Sequence, residues 1–272
     1  MRITGRVTSA LLVTAFSAAA LSMTVWAAPG PDGTPGVATG GVGQASEPTL
    51  TGDLLPTARG DVVIHPVSHA SIVLGWQGKT VYIDPVGGPT PYTALPKPDL
   101  VLLTHEHGDH TDPDTLNAVM KPGTRIVAPA AAAQALPDPL RARVTTMANG
   151  DSATLEGVVI EALPMYNSTP ERAHFHPKGQ GNGYLLTFGD KRVYVAGDTE
   201  PTPEMLALTN VDVAFVPMNL PYTMTVQQAA EAVRTFKPKV VYPYHYRGSD
   251  VKEFERLVGT DCGVEVRLRN WY

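Results

Sequence analysis

The sequence predicts an α/β protein in which two β-sheets pack face to face and helices cover their outer sides. Two observations carry this expectation. Short β-branched or apolar runs, separated by Gly or polar residues, open the body of the chain near residue 61 and recur near residue 158. Each series then gives way to strand patterns alternating with helical ones. The chain therefore reads as two similar halves, although no sequence repeat proves a duplication.

The first meander takes in residues 62–64, 71–76 and 80–83, with Gln77-Gly78 as a hairpin turn between the last two. Residues 99–104 follow as a buried strand. Asp112-Pro113 places an N-cap before a Pro at the first helical position, starting a helix that runs to about Met120. Residues 125–128 read as a strand, 130–135 as a short helix and 144–147 as another strand. The second meander covers 158–163, 183–188 and 192–195. Thr202-Pro203-Glu204 opens a helix, 211–216 is a strand, and 225–236 is an Ala-rich helix that stops before Pro238. A strand at 240–242, a helix near 250–258 and a strand at 264–268 close the chain.

Composition narrows the function. The 272 residues are 43% hydrophobic and 17% charged, enough to bury a full core. A net charge of −5 and no Lys/Arg-rich run argue against a nucleic-acid partner. A single cysteine, Cys262, excludes an intrachain disulfide and a thiolate zinc ribbon.

The first residues read as an address. Arg2 and Arg6 precede a stretch rich in Ala, Leu, Val, Ser and Thr, and Val25-Trp26-Ala27 suits cleavage after Ala27. Residues 1–27 are therefore expected to be a signal peptide. The protein would be exported to the periplasm or beyond, with no stable membrane insertion once the signal is cut. An uncleaved anchor is the other reading, since the stretch approaches the roughly 17–25 residues that span a bilayer; its Ser and Thr argue against that. Residues 28–56 are expected to be a flexible linker, because 29–48 hold six Gly and four Pro with no hydrophobic period. The catalytic domain would then be 57–272.

The eight histidines are 65, 69, 105, 107, 110, 174, 176 and 245, and three of them fall in Thr104-His105-Glu106-His107-Gly108-Asp109-His110. That run leaves the end of a buried strand. In extended backbone His105 and His107 share a side, and Gly108 permits the turn that aims Asp109 and His110 at a second point. Imidazole and carboxylate are the donors a borderline divalent metal takes, and four of them in six residues suit no ordinary loop.

With these residues the sequence resembles the metallo-β-lactamase-fold superfamily, whose signature is His-x-His-x-Asp-His. Within it the chain looks most like the branch of ascorbate-phosphate lactonases and N-acyl-phosphatidylethanolamine phospholipases. The further likeness lies in Ser68-His69-Ala70-Ser71, Tyr82-Ile83-Asp84-Pro85, Ala196-Gly197-Asp198-Thr199 and Pro243-Tyr244-His245. The resemblance implies a four-layer αββα sandwich with a dinuclear site at one edge. By motif, His105 and His107 would bind one metal, Asp109, His110 and His245 the other, and Asp198 would bridge both. It also implies hydrolysis by a hydroxide held between two divalent ions, Zn most naturally, with Mn or Fe also suited to these donors.

The remaining ligand of the first metal departs from the pattern. Asn167 stands where the related lactonases and phospholipases carry a His, and imidazole is not replaced well by an amide. His176, eight residues before Tyr184, is preferred over His174, and the reading in which neither binds stays open. His69 and Asp84 are expected to hydrogen-bond ligands rather than touch metal. Lys178 and Arg172 flank His176 and are candidates for an anionic substrate group, as are Tyr166, Tyr222, Tyr244 and Tyr246 for the pocket wall. Lys178 and Tyr244 are the ones we expect to bind substrate, and Asp109 and Asp198 the ones we expect to act in catalysis. No Cys lies between His176 and His245, which argues against the antibiotic-hydrolysing members. The expected substrate is thus a small molecule with a phosphodiester, lactone or ester bond. The alternative is a non-catalytic or mononuclear metal-binding protein of the same fold.

Overall fold

The computed structural model describes residues 48–272. The expected signal peptide, 1–27, and residues 28–47 of the expected linker lie outside the described residues.

Strands β1 (Asp53–Leu55), β2 (Val62–Ser68), β3 (Ser71–Trp76) and β4 (Lys79–Ile83) are antiparallel neighbours. Strands β5 (Leu100–Leu102), β6 (Arg125–Ala128) and β7 (Val144–Thr146) then join in parallel, giving a seven-stranded sheet in chain order. Helices α1 (Pro113–Val119), α2 (Ala130–Ala135) and α3 (Asp138–Arg141) occupy the crossovers of this half. The second half repeats the plan. Strands β8 (Ser152–Leu155), β9 (Val158–Met165), β10 (Gly181–Phe188) and β11 (Lys191–Val195) are antiparallel. Strands β12 (Val213–Pro217), β13 (Val240–Tyr244) and β14 (Glu265–Val266) add in parallel, with α4 (Pro203–Leu206), α5 (Val226–Phe236) and α6 (Val251–Val258) between them. The two sheets share order and pairing sense, so the two similar halves read from the sequence exist at the level of topology.

Side-chain alternation builds the layers. On β3, Ile72, Leu74 and Trp76 point between the sheets, whereas Val73 points out beneath α1 and α2. On β10, Tyr184, Leu186 and Phe188 face inward and Leu185 faces the helices of the second half. Because helices cover both outer faces, the central strands are buried on both sides and lose the usual apolar–polar alternation. The result is the expected αββα sandwich.

Local chemistry sets the element ends. The Asp112 carboxylate accepts from the backbone N–H groups of Asp114 and Thr115, and Pro113 fills the first helical position of α1. Thr225 and Gln228 form a reciprocal capping box on α5. Gln77 and Gly78 both have positive φ, +51° and +72°, as a two-residue hairpin requires.

The structure differs from expectation in three places. Of the stretch 28–56 read as linker, residues 53–55 are β1, which pairs with β2 and is tied across the sandwich where the Asp53 carboxylate accepts from Tyr242 and Arg269. Gly52 permits this edge, because a Cβ there would lie 2.1 Å from the Ile64 carbonyl oxygen. Strand β8 and helix α3 are too short, four residues each, to leave a periodic pattern. The last strand keeps only Glu265–Val266 of the expected 264–268.

Candidate metal centre

Every chemistry-bearing residue of the site leaves one end of the two sheets. Asp84 follows β4, the 104–110 run follows β5, Asp198 follows β11 and His245 follows β13. Parallel strands deliver their C-terminal ends to the same edge, which is where open α/β sheets build sites. His69 comes from the turn between β2 and β3, and His176 from the loop between β9 and β10. The two halves are stitched together here: His245 N–H donates to the His69 carbonyl at 3.0 Å, and Asn182 N–H to that of Thr104 at 2.8 Å.

The backbone is forced at these positions. His69, Asp84 and His245 have φ of +53°, +43° and +45°, a region costly for residues with a Cβ and tolerated where surrounding structure over-determines it. Gly197, at φ +67°, cannot be replaced freely, since a Cβ would lie 2.5 Å from the Met165 sulfur.

Two ligand groups form around Asp198. In one, the donor atoms of His105, His107 and His176 converge, with His105 Nε2 3.1 Å from His107 Nδ1. In the other, His69, Asp109, His110 and His245 converge. Asp198 lies between them, with Oδ1 3.4 Å from His110 Nε2 and Oδ2 3.3 Å from His245 Nε2 and 3.6 Å from His176 Nε2.

Four of the imidazoles, those of His69, His105, His110 and His176, are also held from behind. His110 Nδ1 donates to Asp84 Oδ2 at 2.7 Å, and the Asp84 carboxylate further accepts from the Thr104 N–H and hydroxyl at 2.8 and 2.6 Å. His105 Nδ1 lies 3.0 Å from the Thr104 hydroxyl, and His176 Nδ1 lies 3.1 Å from the Tyr222 carbonyl. His69 joins Asp109 Oδ2 through Nε2 and the Tyr272 hydroxyl through Nδ1, both at 2.9 Å. Fixing one ring nitrogen turns the lone pair of the other toward the cluster.

Buried polar atoms normally find partners. Here the Nε2 atoms of His110 and His176, both ring nitrogens of His245 and one oxygen of Asp198 are buried without one. Orphaned lone-pair atoms converging from four chain segments fit a metal ion, which is the partner such atoms lack. The charge state agrees. Burial pushes His105 and His176 below the ordinary imidazole value, and nearby imidazoles add to this for both. Burial also opposes ionisation of Asp198 and Asp109, but the surrounding histidines outweigh it and hold both carboxyls well below the usual range. For His110 burial again works against charge, yet Asp198 and Asp84 together raise it well above the usual value. A cation at Nε2 would displace that proton.

The expectations separate cleanly by place. His105, His107, Asp109, His110, His176, Asp198 and His245 come together, with His69 and Asp84 against them. His174 does not: it is exposed and packs on Phe175. Asn167 is a clasp for the His176 loop. Its amide donates to the Tyr222 and Arg172 carbonyls at 2.7 and 3.1 Å, and its backbone N–H to the His176 carbonyl at 2.9 Å.

Two expected substrate residues are corrected. Lys178 is not among the residues lining the cavity over the cluster and instead pairs with Glu204 at 3.0 Å over the Tyr166 ring. Tyr244 is fully buried among core aromatics, its hydroxyl accepting from Gly197 N–H at 2.9 Å, so it has no surface to offer substrate. Arg172 is likewise committed, to buried Glu200.

A cavity of about 500 Å³ opens over the cluster, walled by Phe175, Asn219, Tyr222 and Arg247. Of these only Tyr222 was a sequence candidate. Phe175, Asn219 and Arg247 sit in loops without a motif, so nothing in the sequence singled them out.

An αββα sandwich with a His/Asp cluster at the shared strand ends defines a metallo-hydrolase of the metallo-β-lactamase fold. Residues 79–246 match the family described as the beta-lactamase superfamily domain. A metal-dependent hydrolase of Thermococcus kodakarensis is 33% identical over 215 residues, 74% of this chain and 93% of the relative. One from Pyrococcus abyssi is 32% identical, over 69% and 88%. Among solved structures, a Parabacteroides distasonis protein assigned as a metal-dependent hydrolase is 42% identical with a TM-score of 0.74, covering 81% of this chain and 99% of that one. A metallo hydrolase from Ignicoccus hospitalis is 25% identical with a TM-score of 0.64, over 76% and 94%. The chain belongs to the β-lactamase superfamily and is a metal-dependent hydrolase.

Proposed function

We propose that this hydrolase works with two divalent cations and cleaves a phosphodiester, lactone or ester bond in a small molecule. The observation that carries the reading is the placement of Asp198, with one carboxylate reaching His110 and His245 on one side and His176 on the other. His105, His107 and His176 would hold one cation, Asp109, His110 and His245 the second, and Asp198 both. Bound there, two such ions would supply Lewis acidity and would bring the pKa of water toward neutrality. Zn suits the donors best, and Mn or Fe also fits them.

The chain's own residues do the positioning. Asp109 is half exposed at the cavity floor and orients the attacking water by accepting its hydrogen bond; His69, 2.9 Å away, holds that carboxylate in place. Asp84 and Thr104 fix His110 and His105 so that the ligand set needs no rearrangement at the moment of reaction. The placement of His176 beside His105 and His107 supports the dinuclear reading over the mononuclear one that Asn167 motivates. The bond type follows the lactonase and phospholipase likeness. The net charge of −5 argues against a nucleic-acid substrate. Export is proposed from residues 1–27, and a mature N-terminus beginning at Ala28 in the exported fraction is its check.

The test is a panel of phosphodiesters, lactones and esters with Zn- and Mn-loaded protein, wild type against Asp198→Asn. We expect turnover of at least one class and a loss of at least about 100-fold in the variant, with circular dichroism unchanged. Wild-type rates in Asp198→Asn would overturn the mechanism.

A further inference from the structure

We propose that Arg247 is the specificity-determining residue of this site and that it binds an oxyanion, a carboxylate or phosphate, on the substrate away from the scissile bond. The inference rests on the hydrolase reading and narrows its substrate class.

Three observations support it. First, Arg247 is the one Arg or Lys among the residues lining the cavity over the cluster. Secondly, its charge is uncommitted. Lys178 is neutralised by Glu204 and Arg172 by Glu200, but Arg247 is exposed and pairs with no carboxylate among the described residues. What it meets is the face of the Tyr272 ring, 5.4 Å from its centroid. Stacking on an aromatic face positions a guanidinium without consuming its N–H donors, leaving them for bidentate capture of an oxyanion.

Thirdly, that ring is itself anchored to the centre. The Tyr272 hydroxyl lies 2.9 Å from His69 Nδ1, and His69 Nε2 lies 2.9 Å from Asp109 Oδ2. The guanidinium is therefore placed at a fixed position relative to the residues that would hold the cations. Arg247 also borders a second hollow of about 350 Å³, formed with Ser68, Val86 and Trp271, which leaves room for a charged group beyond the reacting bond. Also in the cavity wall, Phe175 and Tyr222 meet edge to face with centroids 5.0 Å apart, a surface for an apolar or aromatic portion. The substrate this cavity fits is an ester-type molecule with an apolar body and a separate negative charge.

The experiment uses the full chain, metal-loaded, and three esters: 4-nitrophenyl phenylacetate and its derivatives carrying a carboxy or phosphono group para on the phenylacetyl ring. Wild type is expected to favour the charged esters, and the ratio of their kcat/KM to that of the neutral ester should fall about 10- to 100-fold in Arg247→Gln. The loss should appear in KM, and Arg247→Lys should restore part of it. The arm that falls further, carboxylate or phosphonate, identifies the oxyanion. A ratio unchanged by Arg247→Gln overturns the proposal.

Calorimetric binding of 4-carboxyphenylacetate against phenylacetate gives a readout without turnover. The second carboxylate should tighten binding about tenfold or more in wild type and not in Arg247→Gln. Equal gain in both proteins, or no gain in either, overturns the proposal. If none of the esters is cleaved while the binding difference holds, ester hydrolysis fails and the assignment of Arg247 stands.

Discussion

Replacing Asp84 by asparagine changes one atom in a place where every hydrogen bond is accounted for. The Asp84 carboxylate is fully buried and accepts three bonds, from Thr104 N–H, the Thr104 hydroxyl and His110 Nδ1, at 2.8, 2.6 and 2.7 Å. An asparagine keeps one oxygen for the Thr104 N–H and can donate to the Thr104 hydroxyl. It then presents an N–H to His110 Nδ1, donor against donor. The imidazole escapes by moving its proton to Nε2, the atom 3.4 Å from Asp198 Oδ1 that carries the lone pair a cation needs. Loss of such a backing hydrogen bond costs about 10- to 100-fold in metal affinity, or roughly 1.4–2.8 kcal/mol. Stability of the metal-free protein should fall by a similar amount, about 1.5–3 kcal/mol, the worth of a hydrogen bond to a charged group. Competition with a chromophoric zinc chelator reads the first quantity and urea unfolding the second. An Asp84→Asn protein that binds zinc as tightly as wild type would refute the idea that Asp84 sets the His110 tautomer.

Other perturbations follow from the same geometry. His176→Ala should lose metal from the His105/His107 side, while His174→Ala, whose ring is exposed, should keep wild-type content by elemental mass spectrometry. Gly197→Ala puts a Cβ into Met165 at a left-handed φ and should cost about 2–4 kcal/mol in urea unfolding, besides displacing Asp198. Glu200 is buried, which alone would raise its pKa, but bonds from Thr169 and Ser168 and the Arg172 charge outweigh this and lower it from 4.5. Its contribution is therefore complete above pH 4.5 and is lost as pH falls through the lower folded value. Glu200→Gln should be less stable at pH 7 and show a flatter stability curve below pH 4.5; curves of equal slope would contradict this.

How much of this was legible in the sequence depends on how far apart the cooperating residues lie. The run from His105 to His110 carries four donors within a single loop, so its chemistry could be read directly, and Asp198 and His245 followed from motif likeness. Asn167 and His176 could not be sorted that way. The choice turns on a loop with no periodicity, whose path is set by Asn167 bonding back to Tyr222, 55 residues on. Lys178 was misread because its partner, Glu204, comes 26 residues later on another element. Tyr244 sits on β13 where neighbouring positions are all buried, so its motif neighbourhood suggested a pocket that its strand direction denies. Strand β1 escaped notice because three residues beside Gly52 carry no alternation; its identity lies in its partners, Val62 to Ile64. Arg247 shows the limit most plainly, since an uncommitted charge is defined by what does not lie near it.

The central claim is that two cations share Asp198. Metal identity and stoichiometry, measured by elemental mass spectrometry on protein purified without added metal or chelator and again after reconstitution with Zn²⁺ and Mn²⁺, test it most directly. The account predicts about two metals per chain, falling to one or fewer in Asp198→Asn. One metal or fewer in the reconstituted wild type would contradict it.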